Sequence, residues 1–513
     1  MQTNLQYRSV GLRAPQGACT GGQPAAAVVT GSRPTRRVHV VSRAADLHSS
    51  DSPSFHEQQQ DGSASKCPFL AALPAPPPAQ NAWWRRLQQL FSPAEYQQEA
   101  LGPHSMVAGP KQMLMPPQYI LGTADMVKTA FSGEADGTTT VAPPNLLSSR
   151  SLLGDQSLLM VPEPQHKYLR NLIMPAFTNE AIERLVPRME AVLDRHLGRW
   201  AGAAGPVKVH DELRHMTFEF IMAVVLGRDY PEPTIARLSG LYTTWAPGCW
   251  PGPLSTCLHA AAVDEAREQL AAGQSVPGIL GSLVSAVDEH GNRLTDEQLG
   301  DNLLLIMLAG HDTSSTTLTN VMANLQSHPH VVERLREEQR RVVARHGQRI
   351  SGPILKEMTY ADAVIRETLR LNNVVAGLMR QAAKDFEMGG YRVPEGTVLY
   401  LPLTHLALND PRWLQQQPEA FVPERMMTPE GMKQGGQMPF GHGPRFCAGY
   451  AVAMAEMKVY LALLARGYDF DCDTNTQWKQ EIGRVPANGL PATFSRRPAA
   501  VAADAAPAAA ARR

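Results

Sequence analysis

The segment that most constrains this chain is Phe440-Gly441-His442-Gly443-Pro444-Arg445-Phe446-Cys447-Ala448-Gly449, followed at once by the run from Tyr450 to Arg466. That run is rich in Ala, Met, Leu and Glu, all good helix formers, and predicts a helix beginning just after Cys447. A thiol at that point meets free backbone N–H groups and the positive end of the helix dipole, which favour its thiolate. Gly441, Gly443 and Gly449 let the backbone turn sharply and approach a flat ligand closely. Any fold that accepts this segment must bring a glycine-rich loop, a fixed cation and a long helix to one point. Such a thiolate suits a soft metal ligand or a nucleophile. The nucleophile fits less well, because spacing assigns no His or Asn partner to Cys447.

The spacing Phe-x-x-Gly-x-Arg-x-Cys-x-Gly is similar, at every fixed position, to the haem-binding loop of the cytochrome P450 family. The resemblance implies a haem-thiolate monooxygenase of eukaryotic type. Cys447 would be the axial ligand of a haem b, with Phe440, Gly441, Arg445 and Gly449 against the cofactor.

Three upstream segments carry the same resemblance. Leu303 to Ala309 is an apolar run that reads as a core helix, too short to span a membrane. Gly310, His311, Asp312 and Thr313 follow, all modest or poor helix formers. With Thr hydroxyls able to bond back one turn, a local distortion is expected there. Ala309-Gly310-x-Asp312-Thr313 resembles the oxygen-activation site of the family's central helix. By that resemblance Ala309 and Gly310 open a groove for O2, and Asp312 and Thr313 relay protons.

Glu367 and Arg370 stand three apart, so their side chains share a helix face. The family adds a later arginine, here Arg425, to form a structural cluster beneath the haem loop, which the planar fork of Arg allows and Lys would not. His166 and Arg170, four apart, could reach two carboxylates of one ligand. The resemblance makes these the haem propionates, with Arg380 and Arg445 as further donors.

Periodicity near 3.6 predicts helices over Asn179–Trp200, Asp211–Leu226, Thr295–Gln326, Val331–His346 and Tyr450–Arg466. Strand-like alternation is concentrated in 384–401, where Gly389-Gly390 reads as a hairpin turn. The expected fold is mainly α, with a long central helix, the Cys loop and small β-sheets. Leu305, Val374, Val375, Ala376, Leu378 and Leu490 are expected over the haem. Their apolar character points to a hydrophobic substrate. Ala309-Gly310-His311-Asp312-Thr313 and Met457-Lys458 resemble the branch oxidising sterols and retinoids, which implies an isoprenoid-derived substrate such as a sterol, carotenoid or retinoid-like molecule. Asn372-Asn373 departs from the Pro-Pro common at that place, and 245–278 looks short for the family's helix pair over the active site. Two alternatives stay open: a haem-thiolate lyase or isomerase of lipid hydroperoxides, and a haem-binding sensor without turnover. Relatives of the first kind lose the central-helix Thr, which Thr313 retains.

Net charge is zero over 513 residues, so no nucleic-acid partner is expected. Six cysteines without framework spacing imply thiols in a reducing compartment. No apolar stretch reaches membrane-spanning length. Peripheral association through Trp83, Trp84, Leu87, Leu90 and Phe91 is the most that is expected, and a stripe packed on the domain is the stronger reading. No dinucleotide fingerprint is evident. Electrons are therefore expected from a separate partner, a ferredoxin or a flavoprotein reductase, serving a monomer. Residues 1–45 carry six Arg and no Asp or Glu, the composition of an organellar transit peptide, plastid first and mitochondrion second. A disordered Pro-rich linker (46–80), the haem-thiolate domain (81–497) and a disordered Ala-rich tail (498–513) complete the expected organisation. Cys67-Pro68 is read as linker.

Overall fold

The computed structural model describes residues 73–76, 105–108, 117–141, 153–243, 252–414, 416–433, 435 and 437–498. Contacts divide the chain into Met1–Ala64 and Ser65–Arg513, and every described residue belongs to the second unit. The expected leader, the Trp83–Phe91 stripe and nearly all of the tail lie outside the described residues. Of the expected linker, Leu73–Pro76 is described, and it is ordered: the Arg392 amide donates to the Pro74 carbonyl at 3.0 Å, and Pro76 is buried.

The helices are α1 (Ala124–Ser132), α2 (Gln165–Ile173), α3 (Asn179–Ala201), α4 (Val209–Leu226), α5 (Glu232–Thr243), α6 (Gly252–Ala271) and α7 (Gly278–Ser285). After them come α8 (Asp296–Ser327), α9 (Pro329–His346), α10 (Gly352–Glu357), α11 (Thr359–Leu371), α12 (Leu403–Leu408), α13 (Pro429–Met432) and α14 (Tyr450–Gly467). The five predicted helices all form, with ends shifted by one or two residues. Helix α8 starts where the chemistry says it should: Thr295 Oγ1 accepts from the Gln298 amide at 3.2 Å, and Gln298 Oε1 accepts from the Thr295 amide at 3.0 Å, a reciprocal cap.

Strand structure is wider than the expected 384–401. A five-stranded sheet orders β1 (Met106–Ala108), β2 (Gln118–Leu121), β8 (Val398–Leu401), β5 (Leu378–Ala382) and β3 (Thr139–Val141), parallel between β2 and β8 and antiparallel elsewhere. The Gly389-Gly390 turn joins β6 (Phe386–Met388) to β7 (Tyr391–Val393) as read from the sequence. A three-stranded sheet of β4 (Val207–Lys208), β12 (Pro491–Arg496) and β9 (Tyr468–Cys472), and the pair β10 (Trp478–Gln480) and β11 (Arg484–Pro486), lie outside the expected range. Strands of two to six residues show too little alternation to be read from sequence.

One apolar core lies among the helices, with α8 packed most extensively on α4. A second lies between α1 and the five-stranded sheet. The Cys loop enters between these two cores.

Candidate active site

The loop before α14 is held by its own backbone. The Cys447 amide donates to Phe440 O at 2.9 Å and the Phe446 amide to Gly443 O at 3.1 Å. Gly441 and Gly443 both take left-handed φ, 76° and 70°. At Gly443 a Cβ would also come within 2.8 Å of the Phe131 carbonyl, so the loop sits directly against the end of α1. Gly449 differs from the expectation: its φ of −80° suits any residue, and what a Cβ would approach is the Cys447 Sγ at 4.0 Å.

Cys447 opens to a cavity of about 390 Å³, with protein closed around its other sides. That burial pushes the thiol up, outweighing the Gly449 amide, the Arg170 guanidinium and the Tyr450 amide, which all pull it down. The helix-terminal amides thus favour the thiolate as the sequence argument expects, and burial works against them. A metal cation at the sulfur would reverse the balance.

The cavity walls are almost wholly apolar. Leu305, Ile306, Ala309 and Gly310 of α8 face Val374, Val375 and Leu378 from the α11–β5 stretch, with Phe220 and Ile221 from α4. Two expected pocket residues are elsewhere. The Ala376 carbonyl accepts from the Thr404 amide at 3.1 Å, and Ala376 is not part of the lining. Leu490 is fully buried in the helical core, its carbonyl accepting from the Val209 amide at the head of α4. The C-terminal segment that approaches the cavity wall is instead the β10–β11 turn, where a Cβ on Gly483 would lie 3.1 Å from Val374 Cα.

Helix α8 runs unbroken through Gly310–Thr313, so the expected distortion is absent. Thr313 and Thr317 donate to the carbonyls of Ala309 (2.7 Å) and Thr313 (2.8 Å), which satisfies the hydroxyls without displacing a backbone bond. Gly310 admits α4 as well as the cavity, since a Cβ there would meet Ile221 Cδ1 at 2.7 Å. Thr313 lines the cavity and Asp312 does not. One residue along a helix is a turn of about 100°, and Asp312 points toward α4, pairing with Arg214 at 3.0 Å beside the His311 ring at 3.1 Å. His311, fully buried, had no signal in the sequence beyond its place in the motif.

Three of the four expected propionate donors, His166, Arg170 and Arg445, line the same cavity; Arg380 does not. His166 is buried with Nδ1 2.9 Å from Glu163, and burial, with Arg445 next, pulls its ring down. Arg170 donates to Phe446 O at 2.8 Å. Arg445 is largely committed to protein: Nε to both oxygens of Glu134 (2.9 and 3.0 Å), Nη1 to Leu158 O and Leu159 O, Nη2 to Val161 O. Of its five N–H groups, one on Nη2 remains for a ligand. Arg380 Nε lies 3.7 Å from Glu134 and is buried without a hydrogen-bond acceptor.

Sulfur facing the cavity, apolar walls, three cationic or potentially cationic side chains at the rim and an orphaned guanidinium N–H beside them fit a flat, apolar, carboxylated iron macrocycle. Cys447 would bind its metal, and His166, Arg170 and Arg445 its carboxylates.

The Glu367 cluster forms as drawn from the sequence. Arg370 donates twice to Glu367 (2.8 and 2.9 Å), and Arg425 Nε donates at 3.1 Å. All three are buried, and Arg425 further holds the carbonyls of Gln416, Gln417 and Ala420. Where the family has Pro-Pro, the Asn372 amide closes α11 on Thr368 O at 2.8 Å, a bond proline could not donate.

Sequence reasoning missed four groups here. Asn302 takes the Leu158 amide at 2.8 Å and gives to Gln156 O at 3.1 Å, holding the cavity rim to α8. Glu134 is one buried carboxylate among the cations. Glu456, on α14 and lining the cavity, is the other unforeseen carboxyl, pushed up to about 8 by burial against the pull of the Ser314 hydroxyl. Arg214 is the partner of Asp312. None carries a spacing signal, because each partner comes from a distant segment.

Away from the cavity, His196, His215 and Glu219 offer ligand atoms within 4.8 Å of one another. Arg199 donates to His196 Nδ1 at 3.1 Å, which puts the proton on Nε2, facing Glu219 at 2.7 Å. With Arg195 on Glu219 and His215 on Glu232 at 2.9 Å, the group is an ion-pair clamp joining α3, α4 and α5. Among the described residues no helix is long and apolar enough to cross a membrane.

A family model described as Cytochrome P450 matches residues 77–237 and 257–490. The chain is 30% identical over 341 residues to a putative cytochrome P450 120 of Synechocystis sp., covering 63% of this chain and 75% of that one. It is 27% identical over 403 residues to cytochrome P450 26B1 of Homo sapiens (72% and 77% covered). It is 28% identical over 372 residues to abscisic acid 8'-hydroxylase 1 of Arabidopsis thaliana (68% and 76% covered). A solved structure titled retinoic acid bound cyanobacterial CYP120A1 matches with a TM-score of 0.71 at 22% identity, over 83% of this chain and 100% of that chain.

Proposed function

The chain belongs to the cytochrome P450 family, and from that premise we propose that it is a haem-thiolate monooxygenase hydroxylating an isoprenoid-derived substrate such as a carotenoid, apocarotenoid, retinoid-like molecule or sterol. The single observation that carries the substrate class is the cavity: its α8 and α11–β5 walls offer hydrocarbon contact and few hydrogen-bonding groups between Thr313 and Cys447. The similarity to an abscisic acid 8'-hydroxylase and to a retinoic acid-bound relative supports it. Electrons come from a separate donor. The acid-free, Arg-rich composition of residues 1–45 supports plastid import and hence a ferredoxin.

Haem held through Cys447 supplies an electron-rich iron that favours O–O cleavage. What the chain adds is placement and protons. Leu305, Ala309, Val374, Val375 and Leu378 orient a hydrocarbon and exclude water. Thr313, donating its hydrogen bond to Ala309 O, keeps Oγ1 lone pairs free to accept from a water in the cavity and so position it as a proton carrier. Asp312 serves from the neighbouring face through its contacts with Arg214 and His311, not as a cavity group.

The carbon monoxide difference spectrum of the reduced protein tests the thiolate: a strongly red-shifted Soret band is expected, and Cys447→Ser should lose it. Spectral titration and product analysis with isoprenoids, fatty acids and lipid hydroperoxides then test the substrate. Turnover of fatty acids alone would sink the isoprenoid class, and hydroperoxide turnover without an electron donor would favour a lyase.

A further inference from the structure

Two carboxylates touch the cationic rim among the described residues, Glu163 on His166 and Glu134 on Arg445, and Glu134 is the buried one. Its side chain is 1% exposed, and Arg445 Nε donates to both of its oxygens. Arg380 Nε, with no hydrogen-bond acceptor, faces it at 3.7 Å while its guanidinium stacks over Phe131 at 5.0 Å. The placement is rigid. The amides of Thr138 and Thr139 both bond to Gly133 O (2.7 and 3.0 Å), and Thr139 Oγ1 donates to Ala130 O at 2.8 Å, so the turn after α1 is tied to both α1 and β3.

Three guanidiniums, Arg170, Arg380 and Arg445, lie close enough to repel through Arg445, and His166 feels both Arg445 and Glu134. Buried like charges of that number are costly unless an anion sits among them. A cofactor's two carboxylates would supply anions only while the cofactor is bound. Glu134 is present from the start, in the same group of cations.

We propose that Glu134 is a fixed internal counter-ion of the cofactor cradle: it holds Arg445 and Arg380 in place before the cofactor enters and, by like-charge repulsion, loosens the cradle's hold on the cofactor's carboxylates. The inference rests on the haem reading above. Glu134→Gln keeps the shape, and its amide oxygen still accepts from Arg445 Nε, while the charge is removed. Glu134→Asp keeps the charge while shortening the reach.

The test is the rate at which the holoprotein loses its cofactor to excess apomyoglobin, measured with haem and with haem dimethyl ester, whose carboxylates are blocked. Glu134→Gln should slow the loss of haem about fivefold, the order expected of one nearby charge, and leave the ester unchanged. Loss of haem at the wild-type rate or faster, or an equal change for haem and ester, would overturn the proposal, the latter showing a merely structural role. Should Glu134→Gln fail to fold, the pair Glu134→Asp and Glu134→Asn, equal in reach and different in charge, decides: slower haem loss from Glu134→Asn than from Glu134→Asp with equal ester rates supports a charge role, and equal haem loss rejects it. A wild-type chain that takes up no haem, or shows no red-shifted carbon monoxide band, fails the reading beneath; normal wild-type haem with an indifferent Glu134→Gln fails this inference alone.

Discussion

Glu456 faces the cavity from α14 with Oε1 buried and without a partner, and burial pushes its carboxyl up to about 8. An unfolded glutamate ionises near 4.5. Because the folded value is the higher one, the stabilisation that comes from keeping this group protonated is complete below about 4.5 and drains away as pH rises toward 8. Glu456→Gln removes that dependence. The apoprotein variant should match the wild type near pH 4.5 and exceed it at pH 8 by up to a few kcal/mol, read from denaturant midpoints across the pH range. A wild type and variant that track each other throughout would place the carboxyl in a more polar setting than its burial implies. The same scale explains Asp312 and Thr313: adjacent in the motif, they part by one helical step, so only the hydroxyl reaches the cavity.

The segment from Gln416 to Arg425 has almost no regular structure and is held by Arg425 on three carbonyls and by Glu367 on the Val422 amide at 3.1 Å. A planar fork makes those bonds simultaneously; a lysine ammonium has neither the geometry nor the number of donors. Arg425→Lys should destabilise the protein by about 3 kcal/mol, the range for breaking a buried pair and stranding its partner. A midpoint shift in chemical denaturation checks it, and a change below about 0.5 kcal/mol would show that the cluster behaves as a surface pair. At the Cys loop the same logic works through space instead of charge, since Gly443 needs both its left-handed φ and the missing Cβ to lie against Phe131.

At the scale of the whole molecule, the helical core and the sheet core meet at the loop that bears Cys447, and Leu73–Pro76 contribute to the sheet side. A chain started at residue 81 loses the Pro74–Arg392 bond and the burial of Pro76. It should be about 1 kcal/mol less stable than one started at residue 65, measured by thermal or denaturant unfolding; equal stability would show that this contact is neutral. The sequence by itself determined the long helices, because 3.6-residue periodicity is a local signal, and it determined the Cys loop and the Glu367–Arg370 pair, because residue types at fixed short spacing carry that chemistry. It also located Val374, Val375 and Leu378, which follow α11 by only a few residues. Only the tertiary structure decided which carboxylates face which cations. Glu134 meets Arg445 across 311 positions, Arg214 meets Asp312 across 98, and Leu490 and Ala376 turn out of the pocket because packing, not periodicity, sets their direction. The short strands of 106–141 and 468–496 belong to that second class too: a strand of a few residues becomes legible only when its hydrogen-bonded neighbour is in place.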